Sequence, residues 1–238
     1  MLGLKRNKGW SVFIFGKHPS FKDFLCLGQE TPLTMSLAQW VEGGYRDLSR
    51  EDQERFVSWR FWCQGGKDLL LCGLLRDSAD ALGRPFPLLL ILSWELKGWK
   101  KVWERLVLVL EEVWRELEHL AARSWASPVE LETDLYRLPE PRTIQGNGQT
   151  EGEVVSFLRV RDDCFWSLLE EEISSSALVL RLKKQFQEPP LALFMGGAIG
   201  ATAQIVVFTA PLRRKDFLFL WRKESRHEVC GIGAETHF

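Results

Sequence analysis

Residues 69–94 read LLLCGLLRDSADALGRPFPLLLILSW. Two apolar runs, Leu69 to Leu75 and Leu88 to Trp94, flank Arg76 to Pro87, a segment rich in Asp, Gly and Pro. A strand with one wet face alternates apolar and polar residues, so a run without alternation is the pattern of a strand covered on both faces. The segment between the runs carries turn chemistry. Two strands joined by a structured turn, in a sheet covered on both sides, is the reading from which the rest follows.

Upstream, Trp10 to Phe15 is apolar and β-prone and ends at Gly16, which makes it a first strand. Lys17 to Pro32 reads as a long ordered loop. Leu33, Leu37, Trp40, Val41 and Tyr45 recur at helical spacing, so Leu33 to Leu48 is predicted helical, with Thr31 or Thr34 as cap and Pro32 near the first turn. Glu51 to Val57 reads as a short helical stretch, and Arg60 to Cys63 opens a strand.

Downstream, Trp99 to Ala122 is predicted as one long helix. Val102, Trp103, Leu106, Leu110, Val113, Trp114, Leu117 and Leu120 recur at three and four, with charges mainly opposite. Ser127, Pro128 and Glu130 mark another helix start. Pro139 to Gly152, containing Gly146-Asn147-Gly148, has linker composition. Beyond it Val154 to Val160 fits strand or helix, and Phe165 to Ile173 reads as helix. Ala177 to Leu182, Leu191 to Met195 and Ala203 to Thr209 read as strands, Leu212 to Trp221 as a closing helix behind Pro211, and 224–238 as a tail. The expected fold is one α/β (α+β) domain over 1–238, a single antiparallel or mixed sheet flanked by helices.

Composition narrows the function. The chain has 238 residues, 45% of them hydrophobic, and a net charge of −1. A chain of this length buries roughly 70–75% of its unfolded surface and needs no metal or disulfide to hold a core. A nucleic-acid binder would normally carry a basic excess, and here the basic runs Lys100-Lys101 and Arg213-Arg214-Lys215 are short and have acidic neighbours. Cys26, Cys63, Cys72, Cys164 and Cys230 are odd in number and form no C-x-x-C pair, the pattern of reduced, mostly buried thiols. The run Val12 to Phe15 is too short for a signal peptide, and Phe86 to Trp94 falls short of the ~20 apolar residues that span a bilayer. A soluble cytoplasmic protein, with no membrane insertion, is expected. The 11 tryptophans are assigned mainly to the core.

The usual catalytic and cofactor motifs are incomplete or missing in this chain. Gly16-Lys17 follows a strand, but the upstream glycine of a phosphate-binding loop is missing and His18 follows the lysine. Gly196-Gly197-Ala198-Ile199-Gly200 lacks the dinucleotide-binding spacing and leads toward a strand. His227, Cys230 and His237 match no usual zinc pattern, and His18 and His119 stand alone. No G-x-S-x-G or H-E-x-x-H occurs. The expectation is no catalytic residue, no metal and no cofactor.

Three segments resemble the TagF (ImpM) family of type VI secretion-associated proteins. Gly16-Lys17-His18-Pro19-Ser20-Phe21-Lys22-Asp23-Phe24 is similar to the family's G-K-x-P-x-x-x-D-F. Trp59-Arg60-Phe61, with Gly65 or Gly66 after it, is similar to its W-R-F segment. Ser78-x-Asp80-x-x-Gly83-Arg84-x-Phe86-Pro87-Leu88 is similar to its S-x-D-x-x-G-R-x-F-P-L signature. Trp40 sits where the family has a tryptophan in its first helix. The resemblance is good from residue 10 to about 125 and looser over Leu191 to Leu220. His18, Phe21-Lys22 and Asp77 depart from the usual residues. The resemblance implies a longin- or profilin-like α/β/α arrangement around an antiparallel sheet. It also implies a cytoplasmic, non-enzymatic regulator of secretion that contacts the forkhead-associated (Fha) scaffold protein.

Within the signature, Gly83 suits a positive φ and Pro87 fixes the entry to the following strand. Asp80 can bond turn amides or pair with Arg84. One reading is that Ser78, Asp80 and Arg84 staple the turn. Another is that Arg84, Lys17 and Asp23 form a polar patch for a partner at one end of the sheet. A structural subunit of the secretion apparatus, or a small-molecule or nucleotide sensor at the same end, are the alternatives to a regulator.

Overall fold

The computed structural model describes residues 10–53, 56–138, 157–169, 175–198 and 200–222, the side chains of 175 and 176 left aside. In chain order the elements are β1 (Trp10–Gly16), β2 (Leu25–Gly28), α1 (Pro32–Arg46), α2 (Arg50–Gln53), β3 (Val57–Gln64), β4 (Leu69–Arg76), β5 (Leu88–Glu95), α3 (Leu106–Val109), α4 (Glu111–Ala122), α5 (Pro128–Tyr136), β6 (Leu158–Arg161), β7 (Cys164–Leu168), α6 (Ser175–Gln185), β8 (Ala192–Ala198), β9 (Gln204–Phe208) and α7 (Arg214–Trp221). All nine strands lie in one sheet, ordered β2-β1-β5-β4-β3-β8-β9-β7-β6. Every neighbouring pair is antiparallel.

The two apolar runs are β4 and β5, paired from Leu69 opposite Glu95 to Arg76 opposite Leu88. Alternation sends their residues to two different cores. Leu70, Cys72, Leu74, Leu88, Leu90 and Leu92 meet a layer holding Trp103, Leu106, Leu110, Trp114 and Leu117, with Leu131 and Leu135 of α5 and Leu178 and Leu182 of α6. Leu71, Leu75, Leu89 and Ile91 meet Leu37, Val41 and Tyr45 of α1 and Phe217, Leu220 and Trp221 of α7. The fold is thus α+β, an antiparallel sheet covered by helices on both sides.

Nine of the eleven tryptophans are buried and Trp40 and Trp94 are half-buried. A buried indole N–H needs an acceptor, and several here bind helix to sheet or helix to helix. Trp114 of α4 donates to the Phe61 carbonyl of β3 at 3.2 Å. Trp59 of β3 donates to the Leu220 carbonyl of α7 at 3.2 Å, and Trp40 of α1 to the Arg213 carbonyl at 2.9 Å. Arg60, beside Trp59, holds Glu118 of α4 through Nε and one terminal nitrogen (2.7 and 2.8 Å) and Glu111 through the other at 2.9 Å. Thr31 caps α1 in a reciprocal pair with Thr34, behind Pro32 in the first turn.

Several local expectations are corrected. The helix over Trp99 to Ala122 is broken into 3₁₀ turns at Trp99–Lys101 and Trp103–Arg105, then α3, and becomes regular only in α4. The indoles of Trp99 and Trp103 pack on Trp62, with centroids 5.9 and 6.3 Å away, and this tertiary contact overrides the local period. Phe165 to Leu168 is strand, not helix: Cys164 and Trp166 face one core while Phe165 packs against the other. Ala177 to Leu182 is helix, not strand, with Leu178 and Leu182 inward and Leu180 outward. The loop after Gly16 contains the edge strand β2, and Val57 opens β3 rather than ending a helix. The linker-like stretch 139–152, residues 154–156 and 170–173, and the tail with His227, Cys230 and His237 lie outside the described residues. Among the described residues no helix is long and apolar enough to cross a membrane.

Trp114 is fully buried and bonded, so Trp114→Ala is expected to lower the unfolding free energy in urea by about 3–5 kcal/mol. Val129, 67% exposed on α5, is the control, and Val129→Ala should shift it by no more than about 0.5 kcal/mol.

Candidate functional site

The signature loop is held at the end of the sheet by the closest backbone approach in its neighbourhood. Gly16 leaves β1 with φ 115°, and a Cβ there would lie 1.9 Å from the Pro87 carbonyl oxygen. Only glycine allows this contact, which sets Lys17 beside the loop that leads into β5. The Lys17 amide donates to the same carbonyl at 3.4 Å.

Within the loop, Ala79 bridges Pro85, the Phe86 amide donates to the Ser78 carbonyl at 3.0 Å, and Gly83 turns the chain at φ 76°. Asp80 lies inside this turn, its side chain without solvent exposure. One carboxylate oxygen accepts from the amides of Leu82 and Arg84, both at 3.0 Å. The other takes the Arg84 Nε at 2.6 Å and the Lys17 Nζ at 3.1 Å. Burial by itself would raise the Asp80 pKa. The bonds from the Arg84 amide, Lys17, the Arg84 side chain and the Leu82 amide outweigh it and hold the carboxyl well below the usual carboxylate range. Lys17 also donates to the Arg84 carbonyl at 3.2 Å, and Arg84 reaches the Lys22 carbonyl at 2.8 Å. Asp80 therefore bonds the turn amides and pairs with Arg84 at once.

The remaining residues singled out in the sequence take distinct places. Ser78 contributes its backbone carbonyl, and Asp23 is exposed and joins none of these bonds. Arg84 and Lys17 thus meet through Asp80 and not through Asp23. Phe24, 44% exposed, stands edge-on to Phe15 and Phe86, with Phe86 in turn edge-on to Tyr45. His18 is buried, its Nδ1 accepting from the Ser20 amide at 3.1 Å, and burial lowers its pKa so that the ring is neutral. Trp40, Trp59 and Arg60 serve the sheet–helix packing described above. Among the described residues no three His, Cys, Asp or Glu side chains cluster as a metal site requires.

Beside the loop lies a groove of about 940 Å³, lined among others by Pro19, Arg50, Phe56, Arg76, Asp77 and Pro85. Nothing in the sequence marked it. Burial pushes the Asp77 carboxyl up to about 6, against the Ser78 backbone bond and the Arg76 charge. A second polar cluster was equally invisible: Arg161 at the end of β6 bonds the buried Asp216 of α7, while Arg213 pairs with Asp163. Its partners are some fifty residues apart, and only Asp216, which caps the Arg213 amide at 2.7 Å, carried a local signal.

The two aspartates respond oppositely to pH. Asp80 has a depressed folded pKa, so its contribution is whole above about pH 4 and is lost as pH falls further. Asp80→Asn should therefore melt below the parent at pH 7, with the gap closing in acid. Asp77 has a raised folded pKa, so its ionisation costs stability from about pH 4 upward and fully above about pH 6. Asp77→Asn should stabilise by about 1 kcal/mol at pH 7.5, allowing for solvent screening of a half-exposed group, and by nothing below about pH 4. Thermal unfolding from pH 3 to 8 checks both.

Three comparisons with known proteins bear on this geometry. A protein-family model described as the TagF N-terminal domain, type VI secretion system-associated, matches residues 13–138. The crystal structure of PA0076 from Pseudomonas aeruginosa PAO1 is similar in fold, with a TM-score of 0.54 at 18% identity over 89% of this chain and 94% of that one. No curated protein sequence matches. The family match spans more than half of the chain and contains the whole of the Asp80 turn and the Lys17 segment, and the chain belongs to the TagF N-terminal domain family of type VI secretion-associated proteins.

Proposed function

We propose that the chain regulates a type VI secretion system from the cytoplasm by binding another protein, the Fha scaffold, and not by catalysis. The observation that carries this reading is the mutual satisfaction of the signature side chains. Asp80 is filled by four donors, and Lys17 and Arg84 are spent on it and on neighbouring carbonyls. A general base or nucleophile needs a reactive atom open to a substrate, and here the same residues build a rigid rim. That rim leaves Leu82 62% exposed, and Phe24, in the loop after Lys17, is 44% exposed. Large apolar side chains on a fixed loop suit a protein contact. Occupying a scaffold surface lowers the pool of scaffold competent for assembly, so the effect is stoichiometric.

The strand order β2-β1-β5-β4-β3, with helices on both faces, supports a longin- or profilin-like reading of the N-terminal half as an interaction module. The test is a pull-down with this chain as bait from cells with an active type VI system, read by mass spectrometry. Fha is expected in the eluate and is expected to fall at least fivefold with Leu82→Glu at an unchanged melting temperature. Recovery of baseplate proteins alone would instead make the chain a structural part.

A further inference from the structure

We propose that β2 pairs edge to edge and antiparallel with β2 of a second copy of the chain, joining two sheets into one across a twofold axis at Cys26. This goes beyond contact with a scaffold and names another partner, the chain itself.

The described sheet ends in β2 on one side and β6 on the other. Open sheet edges invite other strands, and proteins block them with charge, proline or a bulge. β6 is blocked in this way: it carries Arg159 and Arg161, and its register shifts between them. β2 reads Leu25-Cys26-Leu27-Gly28, with no charge, no proline and a regular register against β1. The Gln29 amide donates to the Val12 carbonyl at 2.7 Å, with Leu27 opposite Ile14 and Leu25 opposite Gly16. In an antiparallel ladder alternate residues turn their backbone groups to the same side. Leu25, Leu27 and Gln29 therefore face β1, and the amides and carbonyls of Cys26 and Gly28 face outward. The planar peptide before Leu25 turns the Phe24 carbonyl outward as well. Phe24, Cys26 and Gly28 are all exposed, and no bond to these outward groups occurs among the described residues.

The side chains select a copy over a foreign strand. With Cys26 opposite Cys26 of the second copy, Phe24 lies opposite Gly28, Leu25 opposite Leu27, and Lys22 beside Glu30. Each outward amide of Cys26 and Gly28 then meets an outward carbonyl across the axis. Gly28 cannot carry a side chain, because a Cβ there would lie 2.2 Å from the Val12 carbonyl oxygen, so the edge has a bare spot. The Phe24 ring of the other copy lies on the same face and covers it, as aromatic rings do beside edge glycines. Lys22 and Glu30 are exposed at opposite ends of β2. Lys22 gives only its carbonyl to Arg84, and Glu30 accepts only from the Cys26 thiol at 3.6 Å. An antiparallel copy brings these opposite charges together, while Asp23 meets the neutral Gln29, so no like charges face each other. The edge is 4 residues long, so the dimer is weak, with a dissociation constant of roughly micromolar order.

The experiment measures the mass of the purified full chain, 27.5 kDa as a monomer, by light scattering and sedimentation across a concentration series. The mass is expected to approach that of a dimer by about 0.1 mM. Cys26→Lys, which sets like charges across the axis, should weaken the dimer by about tenfold. Lys22→Glu and Glu30→Lys should each weaken it by about threefold, and the two together should restore it. A short bis-maleimide should join Cys26 to Cys26 in a peptide map, and Cys26→Ser should abolish that product. Circular dichroism confirms that each variant folds. A chain that stays monomeric at about 0.1 mM, a dimer indifferent to Cys26→Lys, or charge reversals that do not rescue each other overturns the proposal. So does a photo-crosslinker at position 26 that captures, in cells, a different protein and not a second copy.

Discussion

The structure depends on one constraint: β4 is buried along almost its whole length, so both faces of the sheet must be covered at its centre. Leu71 and Leu75 point to one core and Leu70, Cys72 and Leu74 to the other, and water on either side would expose several large apolar side chains. The covering layers are drawn from distant parts of the chain. One side takes α1 from the N-terminal half and α7 from the far end, and the other takes the segment from Trp99 to Tyr136 together with α6. Tryptophan suits this architecture because a ring can fill a wide gap between sheet and helix while its N–H reaches a backbone carbonyl, as Trp114 does at Phe61 and Trp59 at Leu220.

A sheet filled on both faces leaves little room for polar side chains within it, and the signature residues gather at a strand end. There the close approach of Gly16 to Pro87 brings together two loops that are seventy residues apart in sequence. Asp80 can be buried because four donors converge on it, and the same convergence makes the loop rigid. Shape at this end is therefore settled by interior bonds, and the outward residues Leu82, Phe56 and Arg76 are left to meet whatever approaches.

The central strands were legible because their runs did not alternate and the turn between them carried Gly83 and Pro87. The first helix was legible because Thr31, Pro32 and the apolar spacing agreed. The exchange of strand and helix between 164–168 and 177–182 has a plain cause: five or six apolar residues fit either period, and neighbours decide. Trp166 facing Val206 across the ladder makes the first a strand, and the i, i+4 pair Leu178 and Leu182 makes the second a helix. The break in the helix before Leu106 comes from packing on Trp62, which no local pattern encodes. At the site, the spacing of Asp80 and Arg84 announced their pairing. Asp23 looked equivalent and is not, because the turn points it outward. The groove was unreadable because its walls come from residues 19, 50, 56 and 76–85, segments that meet only after folding.

The pairing of β3 with β8 and the cover that α7 gives to α1 have a consequence for how the protein is made. Synthesis runs from the N-terminus, so β3 emerges from the ribosome more than a hundred residues before the strand that pairs with its outer edge. Until then the nascent chain carries an open, apolar strand edge and a sheet face lacking Phe217, Leu220 and Trp221. Such edges and faces are what trigger factors and other holding chaperones bind, and what aggregates when they are scarce. The family region 13–138 thus leaves the outer edge of β3 unpaired and one sheet face without the side chains of α7 until the later strands and helix are made.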